Sequence, residues 1–323
     1  MSADDLIGAV IAERFEVLAK IGEGGMGTVY RALQRSVDRE VAIKVIKPQL
    51  SRDAKVLKRF QREAKLASKL SQPNTVSVID HGKTPDGRLY LAMELIEGRT
   101  LLEVQADDGK LPVDRVVRIG SQLCDALEAA HALGIVHRDL KPENVIVLDR
   151  PPGRDLLKVL DFGLAKLFSE VSSTSGVVGT PRYKAPEVAT RGESSPANDV
   201  YAVGVILAEL ALGRPLYTSN SLGELVLLKM RPDPDVARLP QPLRRAIGAM
   251  LEPDPARRAT AAQARTLLRM VADGSVAFPM VPLVPMPPAP AAAPSPARRA
   301  RWPLLVVLAV ALAAAAGYAY FAA

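Results

Sequence analysis

The chain has 323 residues, 48% hydrophobic and 24% charged, the balance of a protein that buries one or two substantial cores, so a mainly disordered chain is excluded. Its formal net charge of +7 permits contact with nucleic acid, but the basic residues are dispersed and aromatics are only 4%, so stacking platforms are missing and no nucleic-acid partner is expected. A lone Cys124 cannot close an internal disulfide, and the three histidines at 81, 131 and 137 lack metal-ligand spacing.

From about Phe15 to Leu91, β-branched and apolar residues alternate around glycines, as in Val41-Ala42-Ile43-Lys44-Val45-Ile46, with one helical stretch near 53–70. That pattern predicts a small strand-rich lobe over 15–97. From Gly98 to Ala272 helical periodicity dominates, in Val113 to Leu133, Pro196 to Leu212 and Leu222 to Met230, with short strands near 145–148 and 158–160. Cys124 falls in the first of these among Ile119, Leu123 and Leu127, the setting of a small buried core residue in a reducing compartment.

Beyond Asp273 the composition shifts to Pro, Ala, Val and Met, which suits an extended tether over 273–303. Leu304 to Phe321 is uncharged and apolar for roughly 18 residues, close to the length that spans a bilayer core. Arg298, Arg299 and Arg301 precede it, Trp302 marks the junction, and Tyr318 and Tyr320 lie at its far end. These flanks predict a single transmembrane helix over 304–321 in the cell inner membrane, with the N-terminal bulk cytoplasmic and no external sensor domain. The alternative is an alanine-rich helix docked on the folded domain. The acidic first residues lack an apolar segment, so no signal peptide is expected.

Chemistry begins at Gly22-Glu23-Gly24-Gly25-Met26-Gly27-Thr28-Val29, a G-x-G-x-x-G-x-V run between two strand patterns. Glycine lets backbone N–H groups come close to a phosphate chain. A dinucleotide fold uses nearly the same spacing, but its third glycine opens a helix, whereas strand-like Val29-Tyr30-Arg31-Ala32 follows here. Lys44 closes an apolar strand, so its ammonium needs an anion, either nucleotide phosphate or a carboxylate. Glu63 is the expected carboxylate, because Val56, Phe60, Glu63, Ala67 and Leu70 recur at helical spacing on one face. A solvated position at the rim of that helix is its alternative.

His137-Arg138-Asp139-Leu140-Lys141-Pro142-Glu143-Asn144 follows, and after a short hairpin Asp161-Phe162-Gly163. With the glycine run, Lys44 and Ala185-Pro186-Glu187, this order closely resembles the eukaryotic-type (Hanks-type) protein kinases, particularly the bacterial membrane-anchored Ser/Thr class, over about residues 15–272. The resemblance implies an α+β bilobal kinase fold and ATP-dependent phosphorylation of Ser and Thr hydroxyls on protein substrates. It implies Asp139 as the base that orients and accepts the proton of the acceptor hydroxyl, and Asn144 and Asp161 as holders of Mg²⁺. Lys44 then grips the α- and β-phosphates, and Lys141 reaches the γ-phosphate and marks hydroxyl specificity as Ser/Thr.

By the same resemblance Ile21, Val29, Ala42, Met93 and Ile146 line an adenine slot beneath Gly22, Gly24 and Gly27, with backbone groups of Glu94 and Ile96 bonding the base. Each of these apolar residues is also consistent with plain core packing. Glu187 is expected to pair with Arg258, and Asp199 to steady the catalytic-loop backbone. Lys184 departs from the apolar residue common at its position, and Gln72 stands where relatives often carry histidine. Ser169 to Ser175 is polar and accessible in pattern, so phosphorylation of Thr174 or Ser172, made in trans between two paired copies and ordering the segment through Arg138, is the expectation. An unmodified loop is the alternative. A pseudokinase scaffold and a small-molecule phosphotransferase are the competing functions; the first usually loses the lysine, base or metal aspartate, and the second generally lacks the Ala185-Pro186-Glu187 segment.

Overall fold

A computed structural model describes residues 6–25, 27–48, 54–148, 155–162, 181–192, 194–219, 221–231 and 235–274, all within one compact unit. Strands β1 (Val10–Ile11), β2 (Phe15–Glu23), β3 (Gly27–Gln34), β4 (Arg39–Ile46), β5 (Val78–Lys83) and β6 (Leu89–Glu94) form an antiparallel sheet ordered β1-β2-β3-β4-β6-β5. Among the described residues, helix α1 (Ala54–Ala67) accompanies it.

The period of two in β4 decides where its lysine goes. Val41, Ile43 and Val45 join one core with Phe15, Tyr30 and Tyr90. Ala42 and Ile46 point to the other face, into a cluster with Val56, Phe60 and Ala64 of α1 and with Leu91 and Met93 of β6. Lys44, alternating with the first set, shares the second face and is 8% exposed.

The second lobe holds a three-stranded sheet, β7 (Gly98–Thr100), β8 (Val145–Leu148) and β9 (Leu157–Val159), in that order. Around it lie α2 (Leu101–Asp108), α3 (Val113–Ala132), α4 (Pro186–Arg191), α5 (Pro196–Leu212), α6 (Leu222–Lys229), α7 (Gln241–Met250) and α8 (Ala261–Ala272). Their starts carry the expected signals: Thr100 with Glu103, Ser195 with Asn198 and Thr260 with Gln263 form capping boxes, and Pro186 and Pro196 sit where a missing N–H costs nothing. Fifteen of the seventeen residues of α5 are buried, so this helix has almost no solvent face and serves as the central post. At Gly204 a β-carbon would meet Cβ of Met250 at 2.9 Å, which lets α5 and α7 pack closely.

The lobes are stitched by the segment after α1. Val159 donates its N–H to Asn74 O (2.9 Å) and accepts from the Val76 N–H (3.1 Å), a short parallel bridge onto β9. Nearby, Lys158 Nζ reaches Glu94 Oε1 at 2.7 Å, which ties β9 to the end of β6.

Observed bounds follow the expected elements closely, with 54–67 for 53–70, 113–132 for 113–133, 196–212 as expected, and 222–229 for 222–230. The expected membrane location is corrected: among the described residues no helix is long and apolar enough to cross a membrane. The longest, α3, carries Asp114, Arg115, Arg118, Asp125 and Glu128, while the apolar α5 spends its length inside the lobe. The stretch 304–321, the tether 273–303 beyond Gly274, and Thr174 and Ser172 lie outside the described residues.

Glu187 and Arg258 form the expected pair, bidentate at 2.6 and 3.0 Å, with the Arg258 side chain 0% and that of Glu187 7% exposed. Asn198 Nδ2 donates to the same carboxylate, Arg258 also donates to Ala197 O and Glu252 O, and its guanidinium lies 4.9 Å over the Tyr201 ring. Removing one partner strands a buried charge, so Arg258→Met is expected to cost about 3–5 kcal/mol. Urea unfolding of the variant checks this, and an unchanged midpoint would show that the pair holds nothing in place.

Candidate active site

The run His137 to Asn144 leaves α3 and turns into β8, and its backbone is set by a carboxylate from α5. Asp199, 2% exposed, accepts the N–H groups of His137 (2.8 Å) and Arg138 (2.9 Å) and lies 2.9 Å from His131 Nε2. Those bonds hold Arg138 at φ 70°, a left-handed conformation that a non-glycine residue takes only under constraint. His137 is buried, its Nε2 donating to Leu160 O at 2.8 Å and its Nδ1 accepting the Asp139 N–H at 3.3 Å. Phe162 packs edge-on against the His137 ring with centroids 4.9 Å apart. The turn thus presents Asp139 half-buried, with Lys141 Nζ 3.4 Å from its carboxylate.

Asn144 links this loop to the next. Its Nδ2 donates to Asp139 O (2.8 Å), leaving the side-chain oxygen as its remaining ligand atom, and its backbone oxygen accepts the Leu160 N–H (2.9 Å). Asp161 follows, at φ 59°, and its Oδ2 lies 2.6 Å from Lys44 Nζ. One continuous series of bonds therefore runs from Asp139 through Asn144 and Leu160 to Asp161 and Lys44, gathering the expected catalytic set across the two lobes.

The carboxylate beside Lys44 differs from the one expected. Asp161 takes the ammonium, and among the described residues no ion pair joins Lys44 to Glu63. Glu63 is half-buried on α1, and its charge acts instead on Arg138, whose burial pulls its pKa below the usual guanidinium value against the opposing pull of Glu63 and Asp199. The pair with Asp161, at 2.6 Å, joins strand β4 to the turn that follows β9.

In the glycine run, Gly24 N–H closes onto Gly27 O at 2.9 Å. A β-carbon on Gly27 would strike Val45 O at 2.2 Å, so the strand pair requires glycine there, whereas the space beside Gly22 and Gly24 is open and leaves room for a ligand. Met26 lies outside the described residues. Ala42 and Met93 are paired across β4 and β6 and share their apolar cluster with Val29. Ile21 is 49% exposed at the end of β2, and Ile96 and Ile146 are half-buried. The Glu94 N–H is taken by Ser77 O (3.1 Å), which leaves its carbonyl as that residue's other backbone group.

Oxygen donors at Asn144 and Asp161 are the chemistry a hard divalent cation takes, completed by water and phosphate oxygens. No cluster of three or more His, Cys, Asp or Glu side chains suits a metal among the described residues, so the fit rests on these two. Cys124 is 1% exposed and burial pushes its thiol up to about 12, which removes it as a nucleophile.

Several residues beside the site carry no motif and escaped the sequence reading. Lys229, at the end of α6, is 3% exposed and donates to Pro181 O and Lys184 O, each at 2.7 Å, with Nζ near the Tyr217 and Tyr201 rings. Glu209 of α5 accepts from Tyr183 OH (3.0 Å) and the Leu216 N–H (3.0 Å), and lies 3.5 Å from Arg182. Only the clash of a lysine with the apolar α6 and of a glutamate with the apolar α5 hinted at them.

The model of the family described as protein kinase domain matches residues 15–267. The chain belongs to that family. It is 42% identical over 256 residues to the serine/threonine-protein kinase pkn3 of Myxococcus xanthus, covering 77% of this chain and 46% of that protein. Serine/threonine-protein kinase PknL of Mycobacterium tuberculosis is 40% identical over 238 residues, covering 73% and 58%. The chain thus spans about half the length of these two relatives. Among solved structures, the Mycobacterium tuberculosis PknI kinase domain superposes with a TM-score of 0.65 at 26% identity, covering 81% of this chain and 98% of that one. The bilobal kinase fold, and with it the use of ATP and a divalent metal ion, follows.

Burial lowers the Lys229 pKa to about 7, with Glu187 and Glu209 pulling the other way and Lys184 adding to the fall. Between about pH 7 and the usual lysine range the unfolded chain binds a proton that the folded chain does not, so stability rises with pH there, by at most about 1.4 kcal/mol per unit. The unfolding free energy of the native protein minus that of Lys229→Met is therefore expected to grow from pH 7 to pH 10. A flat difference would show that Lys229 stays charged in the fold.

Proposed function

We propose that this chain is a bacterial Ser/Thr protein kinase that transfers the γ-phosphoryl group of ATP, with Mg²⁺ as its ion, to hydroxyls of protein substrates. The observation that carries this is the bonded series from Asp139 to Lys44, which keeps every charged group such a transfer requires. The kinase lobes are read as 15–97 and 98–272.

A transferring phosphoryl group carries dispersed negative charge, so the protein's task is to position it and to supply cations and oriented N–H groups. The ammonium of Lys44, held on β4, meets the α- and β-phosphates, while the open backbone at Gly22 and Gly24 covers them. Ala42, Val29, Met93, Ile21 and Ile146 sandwich the base, and Glu94 and Ile96 offer it backbone groups. When bound, the metal ion neutralises phosphate charge, and Asn144 and Asp161 are the residues that hold it. Asp139 orients the acceptor hydroxyl and takes its proton, and Lys141, 3.4 Å away, stands ready for the γ-phosphate. Retention of all of these argues against a pseudokinase, and the intact Ala185-Pro186-Glu187 anchor argues against a small-molecule acceptor.

Radiolabelled ATP with a generic basic protein tests the reading. Incorporation is expected in the native chain and is expected to fall at least about a hundredfold in Asp139→Asn, the scale of a lost general base, and in Lys44→Met. Undiminished transfer in both variants would remove the mechanism.

Self-modification in trans by a second copy is part of the proposal, at Thr174 or Ser172. Arg138 supports it: the guanidinium is half-buried beside the catalytic loop, with Nε donating to Ser194 Oγ at 3.1 Å, and a phosphate is a stronger acceptor than that hydroxyl. Mass spectrometry after incubation with ATP is expected to find phosphate within residues 169–175, with Thr174 favoured; an unmodified segment in an active preparation would reject this part.

A further inference from the structure

Helix α4 closes on Gly192, whose N–H returns to Val188 O at 3.1 Å and whose φ of 67° turns the chain toward α5. Ser194 stands in this connection, exposed to solvent, one residue before the N-cap of α5. The N-cap itself, Ser195, is half-buried and tied to the helix, its N–H donating to Asn198 Oδ1 at 2.5 Å. Ser194 is engaged differently. Its Oγ accepts from Arg138 Nε at 3.1 Å, so an exposed hydroxyl touches the side chain that precedes Asp139 in the catalytic loop.

Among the described residues that hydroxyl is the hydrogen-bond partner of the guanidinium, and no carboxylate lies within ion-pair distance of it. Asp199 reaches Arg138 through the backbone N–H, at 2.9 Å. The half-buried cation therefore meets a neutral oxygen at the rim, a weak return for the water it gives up. A phosphoryl group on that oxygen brings a charge near −2 and three strong acceptors to a contact that already exists. Charge-assisted bonds of this kind are roughly twice as strong as neutral ones, and a guanidinium has five N–H donors to offer them. Arg138 would then be held twice by one short stretch of chain, its backbone by Asp199 and its side chain by residue 194.

We infer that Ser194 is a phosphorylation site of this chain, and that its phosphate binds Arg138 and fastens the α4–α5 connection to the catalytic loop. The inference rests on the protein kinase reading and adds a modification site outside residues 169–175. A second copy carries out the step. Ser194 Oγ gives its proton to the Asp139 carboxylate of that copy and bonds to the γ-phosphorus of ATP, while the bond from that phosphorus to the β–γ bridging oxygen breaks and ADP leaves. A phosphate on Thr174 or Ser172 calls on the same Arg138, so the two modifications compete for one guanidinium.

The Asp139→Asn chain, incubated with ATP and a trace of the native chain, provides the test, since its phosphate must arrive in trans. Mass spectrometry with fragmentation that separates Ser194 from Ser195 is expected to find phosphate on Ser194. In ³¹P NMR, the resonance that Ser194→Ala removes is expected to titrate about one pH unit below the ordinary phosphoserine value of about 6, and to return to about 6 when Arg138→Met is added. Circular dichroism establishes that each variant is folded. If Arg138→Met is not, the phosphorylated chain unfolded in urea takes its place, and a phosphate that titrates alike folded and unfolded overturns the inference. Transfer to a generic basic protein without phosphate on Ser194, or a Ser194 phosphate whose titration ignores Arg138→Met, also overturns it and leaves the kinase reading standing. Absence of transfer to any protein overturns the kinase reading, and this inference with it.

Discussion

A single buried carboxylate governs the catalytic geometry. Asp199 would be costly on a helix with almost no solvent face, but three donors converge on it, from the His137 and Arg138 backbone and from the His131 ring. The exchange is mutual: the loop satisfies the charge, and the charge holds the loop in a conformation it would not keep alone. Because α5 is packed against α3 and α7, the apolar core of the larger lobe sets the position of Asp139 through this one side chain.

The smaller lobe contributes through strand alternation. Lys44 faces the cleft because its neighbours in β4 face the cores, and its ammonium finds Asp161 at 2.6 Å. In that arrangement the charge on the buried lysine is offset by a carboxylate of the same cleft. Glu63 is left to act on Arg138 from α1, so the helix is coupled to the catalytic loop by charge, without a direct pair to Lys44.

Much of this was legible in the sequence because it depends on local chemistry. Periodicity located α1, α3, α5 and α6 to within a few residues, and the motif residues Lys44, Asp139, Asn144 and Asp161 come together as their order implied. The Glu187–Arg258 pair, 71 residues apart, was implied by the family resemblance of the Ala185-Pro186-Glu187 segment and not by any local pattern. Two things were out of reach. The partner of Lys44 depends on which of two carboxylates the fold brings nearer, a matter of tertiary distance. Lys229 and Glu209 lie in apolar helices, where spacing alone says nothing about the carbonyls and hydroxyls waiting for them. The membrane expectation drew on a terminal stretch whose composition suits a bilayer, and apolar length elsewhere in the chain is spent on internal packing.

Arg138 is held in the left-handed region at φ 70°, its cation half-buried and engaged chiefly with Ser194 at the rim. That conformation strains an ordinary side chain by about 1–2 kcal/mol, more than the roughly 0.5–1 kcal/mol of extra unfolded-chain freedom that glycine brings. Laboratory evolution that rewards only heat resistance would thus drift toward glycine at this position, accumulating sturdier molecules that have lost the guanidinium. Any hardening campaign on this scaffold has to score turnover in the same round.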